Sequence, residues 1–375
     1  MRLGRDHLEA ALLGGGLLGG GGGGSLTEGR ALGEAALRLG APSLVRCHEL
    51  PVDAWVATVS LVGAPAAPDR HVEPQDHERA WAMLVESCAH RPSGIVASEN
   101  GGTASVNGWI QSAVTGLPVV DAPADGRAHP TGDMGSLALE RVPGFISEQA
   151  VAGGTRAHGL YLEQWVRAPL AAAGRLVRAA AEAAGGLVAV ARNPVPVRWL
   201  ARHGAVGGLT QALELGRVMI DARPGGGPAV AERVCERLGG RVAARGEVEA
   251  IELQTRGGYD VGIARVAGVE LSIWNEYLAL ERGGQRLATF PDLVATLDAV
   301  TGDPVTSAEL APGRSVIVVT APAASLVLGG GLRVRANYLP LERAVGKDLL
   351  AHVAIPFDDA PDMDLGTALS QTYEK

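Results

Sequence analysis

Residues 95–135, IVASENGGTASVNGWIQSAVTGLPVVDAPADGRAHPTGDMG, carry the arrangement on which the rest of the predicted fold depends. The run 95–97 is short and apolar, as expected of a parallel strand that is buried on both faces. A polar, glycine-containing turn follows, and 104–114 has the composition of an amphipathic helix. The segment 116–118 ends that helix and Val119–Val120 form a second strand. The stretch therefore predicts a strand–helix–strand unit.

Acidic residues follow both predicted strands of this unit. Glu99 comes after the first strand and Asp121 after the second. The carboxyl ends of parallel strands meet at one edge of a sheet, and ligands of open α/β sheets bind at that edge. The next loop adds Asp125, the cation Arg127 and the titratable imidazole of His129. We therefore expect a catalytic site here, with Glu99, Asp121, Asp125 and His129 as candidate acids, bases or ligands.

Length and composition restrict the class of protein. The chain has 375 residues, of which 47% are hydrophobic and only 4% aromatic, which is enough for two domains with cores of small and aliphatic side chains. The net charge of -8 and the pI of about 5.6 argue against nucleic acid as a partner, since such proteins carry a basic face. A small-molecule substrate is the expected partner, and a homo-oligomer is a candidate assembly.

The cysteines and the N-terminus predict a cytoplasmic protein. Three cysteines lie far apart, an odd number without metal-binding spacing, so no disulfide framework is expected. Charged residues interrupt the start of the chain and six consecutive glycines interrupt its apolar region, unlike a signal peptide. No window approaches the roughly 20 apolar residues of a membrane span, so no membrane partner is expected.

The order of patterns along the chain predicts two domains. Residues 1–170 read as an α/β domain with a parallel or mixed sheet and flanking helices, which contains the candidate site. Residues 171–350 read as a helical lead-in and then a β-rich, barrel-like domain, because alternating segments and glycine turns begin at Arg241. Residues 351–375 read as a weakly ordered acidic tail.

Five local expectations complete this interpretation. We expect a helix at 26–39, and a helix at 3–13 followed by a glycine loop at 14–24. We expect one long helix at 159–184. Residues 290–302 read as a turn, a short helix and a turn, and residues 332–336 read as a strand.

The glycine run supports three interpretations. Its backbone amides can cradle an anion, with Gly22 and Gly23 as candidate substrate-binding residues, or it can bind a nucleotide. However, six glycines match a dinucleotide fingerprint trivially, and no Lys–Ser/Thr pair follows as in a phosphate-binding loop. The third interpretation is a tight turn in which backbone packs on backbone.

Histidine and arginine near the site also have alternative roles. His129 is a candidate general acid or base, a metal ligand, or a structural residue, and Arg127 either binds a substrate carboxylate or neutralises nearby aspartates. For a zinc-like divalent metal the candidate ligands are Glu78, Asp121 and His129. The mixed histidine and acid segment at 71–78 is better read as a solvated loop, because Pro74 interrupts its helical spacing.

The segment SIWNEY at 272–277 is the candidate contribution of the second domain. Asn275 and Glu276 can reach a cleft between the domains and contact a substrate. The alternative is an edge strand whose Trp274 packs on the core.

Taken in order, these motifs resemble the S-methyl thiohydantoin desulfurase family over roughly residues 5–345. The resemblance rests on the following residues: 17–24, 62–65, Glu78, Glu99, Gly101, Gly102, 116–121, 126–128, 274–276, 291–293 and 301–302. It implies an α/β domain followed by a β-barrel-like domain, and chemistry on a five-membered thiohydantoin or hydantoin ring with metal assistance.

In that chemistry, water adds to C2 of the ring and sulfur leaves as sulfide or a thiol. We expect Glu99 and Asp121 to act as base or ligand with Asp125 or His129, Arg127 to anchor a carboxylate, and the glycine turns, including Gly101 and Gly102, to donate amides. The rivals are a nucleotide-dependent enzyme, a biosynthetic ring-opening or ring-forming enzyme, and a non-catalytic relative. The second is favoured because His129 and Thr131 stand where the family pattern has an aromatic residue and an acid.

Overall fold

The structure is a computed structural model that describes residues 1–64, 66–363 and 365. Within these residues the helices are α1 Arg5–Leu18, α2 Leu26–Leu39, α3 Pro74–Ser87, α4 Trp109–Thr115, α5 Leu170–Ala183, α6 Val197–His203, α7 Gly208–Ala222, α8 Gly226–Leu238 and α9 Leu339–Val345. The strands are β1 Leu44–Val45, β2 Trp55–Gly63, β3 Gly94–Ala97, β4 Val119–Val120, β5 Ile146–Gly153, β6 Leu162–Pro169, β7 Leu187–Pro196, β8 Arg241–Arg256, β9 Tyr259–Val266, β10 Val269–Trp274, β11 Glu276–Arg282, β12 Gln285–Thr289, β13 Leu293–Asp298, β14 Pro304–Val305 and β15 Ser315–Ala321. None of these helices is long and apolar enough to cross a membrane.

The first sheet is mixed and has seven strands in the order β1-β4-β3-β2-β7-β5-β6. Strands β1 to β4 are parallel to one another, whereas β7, β5 and β6 join antiparallel. Trp81 and Leu84 of α3 pack on one face, against alanines of β5 and β7. Val177 of α5 packs with Val151 and Val188 on these strands. The predicted α/β architecture with a mixed sheet and flanking helices is therefore confirmed.

The antiparallel half of this sheet was not anticipated from the sequence. The single helix expected at 159–184 is wrong: residues 162–169 form β6, and only Leu170–Ala183 is helical. The alanine-rich composition favours a helix locally. Pairing of β6 with β5 overrides that preference, because the two strands form a ladder of eight consecutive residue pairs.

The second sheet has eight antiparallel strands in the order β12-β11-β10-β9-β8-β15-β13-β14. The long strand β8 pairs with β15 through its first half and with β9 through its second half, so the sheet curls around one apolar core that contains Val248, Leu271 and Val316. In the part of the chain that the structure describes, no ladder joins β12 to β14. The β-rich character is confirmed, and the barrel-like closure is not observed.

Two local expectations in the second half are wrong. Residues 293–298 form strand β13 rather than a short helix, and they pair with β15 along their whole length. Residues 332–336 lie in two 3₁₀ turns rather than in a strand.

Helix α2 has the expected bounds, but α1 is longer than expected because its glycines lie inside the helix. The loop predicted from Gly14 is wrong, since α1 continues to Leu18. A Cβ atom at Gly14 would lie 1.8 Å from Ala212 O of α7, and one at Gly216 of α7 would lie 1.9 Å from Ala10 O of α1. The two helices thus cross at reciprocal glycines that allow close backbone contact.

The C-terminal segment up to residue 363 packs on the body of the protein. Phe357 contacts Tyr338 edge-on at 5.5 Å, and Asp362 is 5% exposed with His203 Nε2 3.2 Å away. The acidic tail at 351–375 stays a prediction, and residues 364 and 366–375 lie outside the described residues. The domain boundary at 170/171 stays a prediction; α5 and β7, which follow it, belong to the layers of the first sheet.

Candidate active site

A cleft of about 750 Å³, including its opening to solvent, lies where the first sheet faces the second. It lies at the carboxyl end of the parallel strands, the edge predicted from the sequence. The ends of β2 and β3, the glycine turn and the loop 129–132 contribute to its wall. Its charged or titratable lining residues are Glu28, Arg70, Glu99, His129, Arg178, Arg192 and Glu276, and its smaller lining residues include Gly23, Gly24, Asn107, Thr131 and Asn275.

Glu99 and His129 form a close pair in this cleft. The His129 backbone N–H donates to Glu99 Oε2 at 3.2 Å, and His129 Nε2 also lies 3.2 Å from Oε2. The side chains are 15% exposed for Glu99 and 4% for His129. The structure thus brings together two of the four predicted catalytic residues, one from the end of β3 and one from the loop after β4.

The protonation of this pair follows from its hydrogen bonds and burial. His129 Nδ1 lies 2.9 Å from Thr131 O, and since a carbonyl only accepts, Nδ1 donates and Nε2 carries the lone pair of the neutral ring. Burial lowers the pKa of His129 to about 3 and raises the pKa of Glu99 to about 8. Near neutral pH His129 is therefore neutral and Glu99 is largely protonated, so the two groups do not form an ion pair.

Glu276 enters the cleft from the second sheet. It is the first residue of β11, is 2% exposed, and has no hydrogen-bond partner for its buried Oε2 among the described residues. Burial, and secondarily the charge of Glu99, raise the pKa of Glu276 well above its usual range. Asn275 also lines the cleft, so both predicted residues of this segment reach it.

Arg192 was missed by the sequence analysis because β7 was missed. It is 4% exposed and lines the cleft, yet it forms no ion pair with a described carboxylate, and its Nε has no acceptor among the described residues. Burial lowers its pKa to about 10, so it is a cation at neutral pH. A single arginine inside the apolar run LVAVARNPVP is the signal that points to it.

The glycine run is a tight turn packed on other backbone. A Cβ atom at Gly101 would lie 2.4 Å from Gly23, one at Gly102 would lie 2.5 Å from Gly24 O, and one at Gly22 would lie 2.0 Å from Glu276 Oε1. The wall of the cleft is therefore lined by Gly23 and Gly24. Behind this wall lie Gly22, Gly101 and Gly102, which allow the close backbone packing. No described residue accepts a hydrogen bond from the N–H of Gly23 or Gly24.

Two predicted catalytic acids do not line the cleft. Asp121 accepts hydrogen bonds from Leu209 N at 3.0 Å and from Thr210 N and Oγ1 at 3.0 and 2.5 Å, so it caps the first turn of α7. Asp125 is fully buried, and its Oδ1 lies 3.4 Å from Arg127 N. Burial raises the pKa of Asp125 to about 7.

Arg127 does not line the cleft either. It is fully buried, its Nη1 donates to Pro291 O at 3.1 Å and to Asp292 O at 2.5 Å, and its guanidinium lies 4.5 Å from the centre of the Phe290 ring. These contacts tie the loop after β4 to the turn before β13. The geometry suits a structural link between the two halves better than a substrate anchor.

The divalent metal ion implied by the resemblance would need a group of protein side chains as ligands. Within the described residues no group of three or more His, Cys, Asp or Glu side chains is placed to hold an ion. Glu78 is exposed on α3, Asp121 caps α7, and only His129 lies in the cleft, so the candidate ligands are not gathered. Zinc sites normally use at least three protein ligands. The described residues therefore do not fit such an ion.

Comparisons with known proteins give a family and a fold. Residues 6–155 match the family model described as S-Me-THD-like, N-terminal domain, and residues 169–330 match the one described as S-Me-THD-like, C-terminal domain. No curated protein matches the chain. A crystal structure of a protein from Chromobacterium violaceum, from the Northeast Structural Genomics Consortium, aligns with a TM-score of 0.67 at 23% identity, over 96% of this chain and 99% of that chain. At this identity the likeness shows the fold alone.

Proposed function

The chain belongs to the S-Me-THD-like family, and we propose that it is an enzyme that hydrolyses a small five-membered thiohydantoin-like ring in the cleft between its two sheets. The family suggests an enzyme related to thiohydantoins. The reaction, water attack at C2 with loss of sulfide or a thiol, is the part that we add.

The observation that carries the proposal is the Glu99–His129 pair. Addition of water to C2 needs a base that removes a proton, and a base is most effective when its pKa lies near the working pH. Burial raises the pKa of Glu99 to about 8, far closer to neutrality than that of an exposed glutamate. The lone pair of His129 Nε2, 3.2 Å away, can accept a hydrogen bond from the Glu99 hydroxyl that forms.

The reaction is written as two steps. In the first, the oxygen of water bonds to C2, the electron pair of the C2=N double bond moves to the ring nitrogen, and one water proton moves to the Glu99 carboxylate, which then passes it to that nitrogen. In the second, the C2–S bond breaks with its electron pair on sulfur, and C2 becomes a carbonyl. Water supplies the new oxygen and, in net terms, the proton of the released thiol. The N–H groups of Gly23 and Gly24 are donors available to the ring during these steps.

Arg192 takes the anchoring role that the sequence assigned to Arg127. It is a buried cation on the cleft wall that forms no ion pair with a described carboxylate, whereas Arg127 lies outside the cleft and donates to three carbonyl groups. A planar guanidinium binds a carboxylate with two parallel hydrogen bonds. A ring that carries a carboxylate would therefore supply the missing counter-charge.

The test is release of thiol from a panel of S-methyl thiohydantoins with and without a carboxylate side chain, followed with a thiol-reactive dye. We expect turnover by the wild-type protein, and a loss in kcat/KM of at least about 100-fold for Glu99→Gln, which keeps the shape but cannot accept the proton. Glu78→Gln is the matched control, because Glu78 is exposed on α3 and away from the cleft.

Two results would contradict the proposal. One is an absence of thiol release from every member of the panel. The other is a Glu99→Gln variant that turns over as fast as Glu78→Gln.

A further inference from the structure

Glu276 is held in the cleft by an unusual backbone. The residue before it, Asn275, has φ of +57°, a conformation that costs energy for a residue other than glycine. Asn275 N donates to Asp260 O at 2.7 Å, and Asp260 N donates to Asn275 Oδ1 at 2.9 Å. Ser307 Oγ donates to Asn275 O at 2.6 Å. These contacts impose the turn between β10 and β11 that places Glu276 at the start of β11.

The position of the Glu276 side chain is also fixed. Tyr277 N donates to Gly20 O at 2.8 Å, which ties the start of β11 to the glycine turn. A Cβ atom at Gly22 would lie 2.0 Å from Glu276 Oε1, so the carboxyl group occupies space that only a glycine leaves open. Such constraint from two sides is expected of a group whose orientation matters for function.

The chemical state of Glu276 differs from that of a structural acid. Asp121 accepts hydrogen bonds at both carboxylate oxygens from the start of α7, whereas no described residue pairs with Oε2 of Glu276, which lines the cleft. Burial beside Glu99 raises the pKa of Glu276 well above its usual range. Burial therefore favours the protonated form of Glu276, whose O–H would be a hydrogen-bond donor that no described residue uses at Oε2.

We propose that Glu276 is the catalytic acid that protonates the leaving sulfur in the second step of the proposed reaction, on which this inference rests. The two sheets then contribute opposite functions: Glu99 from the first sheet takes a proton from water, and Glu276 from the second gives one to sulfur. As the C2–S bond breaks, the electron pair moves to sulfur and the Glu276 proton follows it, which yields a thiol. The C2 hydroxyl loses its proton as the carbonyl forms, and this proton restores Glu276.

The leaving group provides the test. A methyl thioether releases a strongly basic thiolate that needs a proton, whereas a 2,2,2-trifluoroethyl thioether releases a weakly basic one that does not. For Glu276→Gln we expect kcat/KM to fall by at least about 100-fold on the S-methyl ring, and by less than about tenfold on the S-trifluoroethyl ring. Glu99→Gln should lose activity on both rings, because water must be activated in either case.

Control variants distinguish a catalytic role of Glu276 from a purely structural one. They also test this role separately from the proposed hydrolysis. Glu247→Gln, exposed on β8 of the same sheet, should behave as the wild type on both rings. Glu276→Asp keeps the acid and should show the same dependence on the leaving group with a smaller loss, which provides a second reading if Glu276→Gln folds poorly. Equal losses on the two rings would overturn the role of Glu276, while a wild-type protein inactive on both would overturn the proposed function as well.

Discussion

At the scale of single residues, burial determines what each acid of the site can do. Glu99, Asp125 and Glu276 all have raised pKa values, and in each the largest cause is removal from water. Of these three, Glu99 and Glu276 line the cleft. Asp121 lies outside the cleft and accepts its hydrogen bonds from the N-terminal turn of α7. The same residue type thus serves as a candidate proton carrier in one place and as a helix cap in another.

The raised pKa of Glu99 predicts the pH dependence of the reaction. The carboxylate form is the base, so activity requires loss of the Glu99 proton, and kcat/KM should rise about tenfold per pH unit below about 8 and fall again at the higher pH where Glu276 loses its proton. A pH–rate profile on the S-methyl ring measures this limb. If the rising limb of the profile is absent in Glu99→Gln, the titration belongs to Glu99. A midpoint near 4.5, the usual value for glutamate, would contradict this assignment.

At the scale of elements, glycines place the helices as well as the turns. Gly14 and Gly216 allow α1 and α7 to touch through their backbones, and this contact positions the end of α1 from which the glycine turn departs. The turn then packs on Gly101 and reaches the cleft at Gly23. One run of small residues therefore serves helix packing in its first half and the site wall in its second.

This arrangement predicts opposite effects for two glycine-to-alanine changes in helices. Gly216→Ala should lower the free energy of unfolding by at least about 2 kcal/mol, since its Cβ atom would lie 1.9 Å from Ala10 O. Gly174→Ala in α5, where the nearest atom is 4.0 Å away, should raise it by about 0.5–1 kcal/mol. Chemical denaturation measures both changes. Equal effects would show that α1 and α7 are not in close contact.

At the scale of the whole molecule, the cleft exists because the two sheets meet, and both halves of the chain contribute polar or titratable residues to its wall. Glu99, His129 and Arg192 belong to the first half, and Asn275 and Glu276 belong to the second. Arg127 fastens the junction from within through the carbonyls of Pro291 and Asp292. An unpaired cation in such a place is costly for folding and useful for binding.

Arg192→Gln should therefore raise the stability of the ligand-free protein by about 1 kcal/mol or more, because a buried and unpaired charge is removed. A hydantoin that carries a carboxylate should raise the Tm of the wild type and not that of the variant. Thermal unfolding with and without this ligand measures both effects. Arg178→Gln is the matched contrast: Arg178 Nη1 donates to Gly63 O and Gly258 O at 3.2 and 2.8 Å, so its loss should destabilise. A destabilised Arg192→Gln variant would contradict this account.

The sequence by itself determined the elements whose signals are local: α2 with its serine cap and following glycine, the buried strands β2 to β4, and the glycine-separated strands after residue 241. It also predicted that Glu99, Asp121 and the loop that carries His129 share one edge of the sheet, and of these Glu99 and His129 line the cleft. Only the tertiary structure decided the pairing of β5, β6 and β7, and with it the position of Arg192. It likewise decided that Asp121 caps a helix and that Glu276 has no partner. These outcomes depend on contacts between residues far apart in the chain, where packing and burial outweigh the local preferences that a sequence displays.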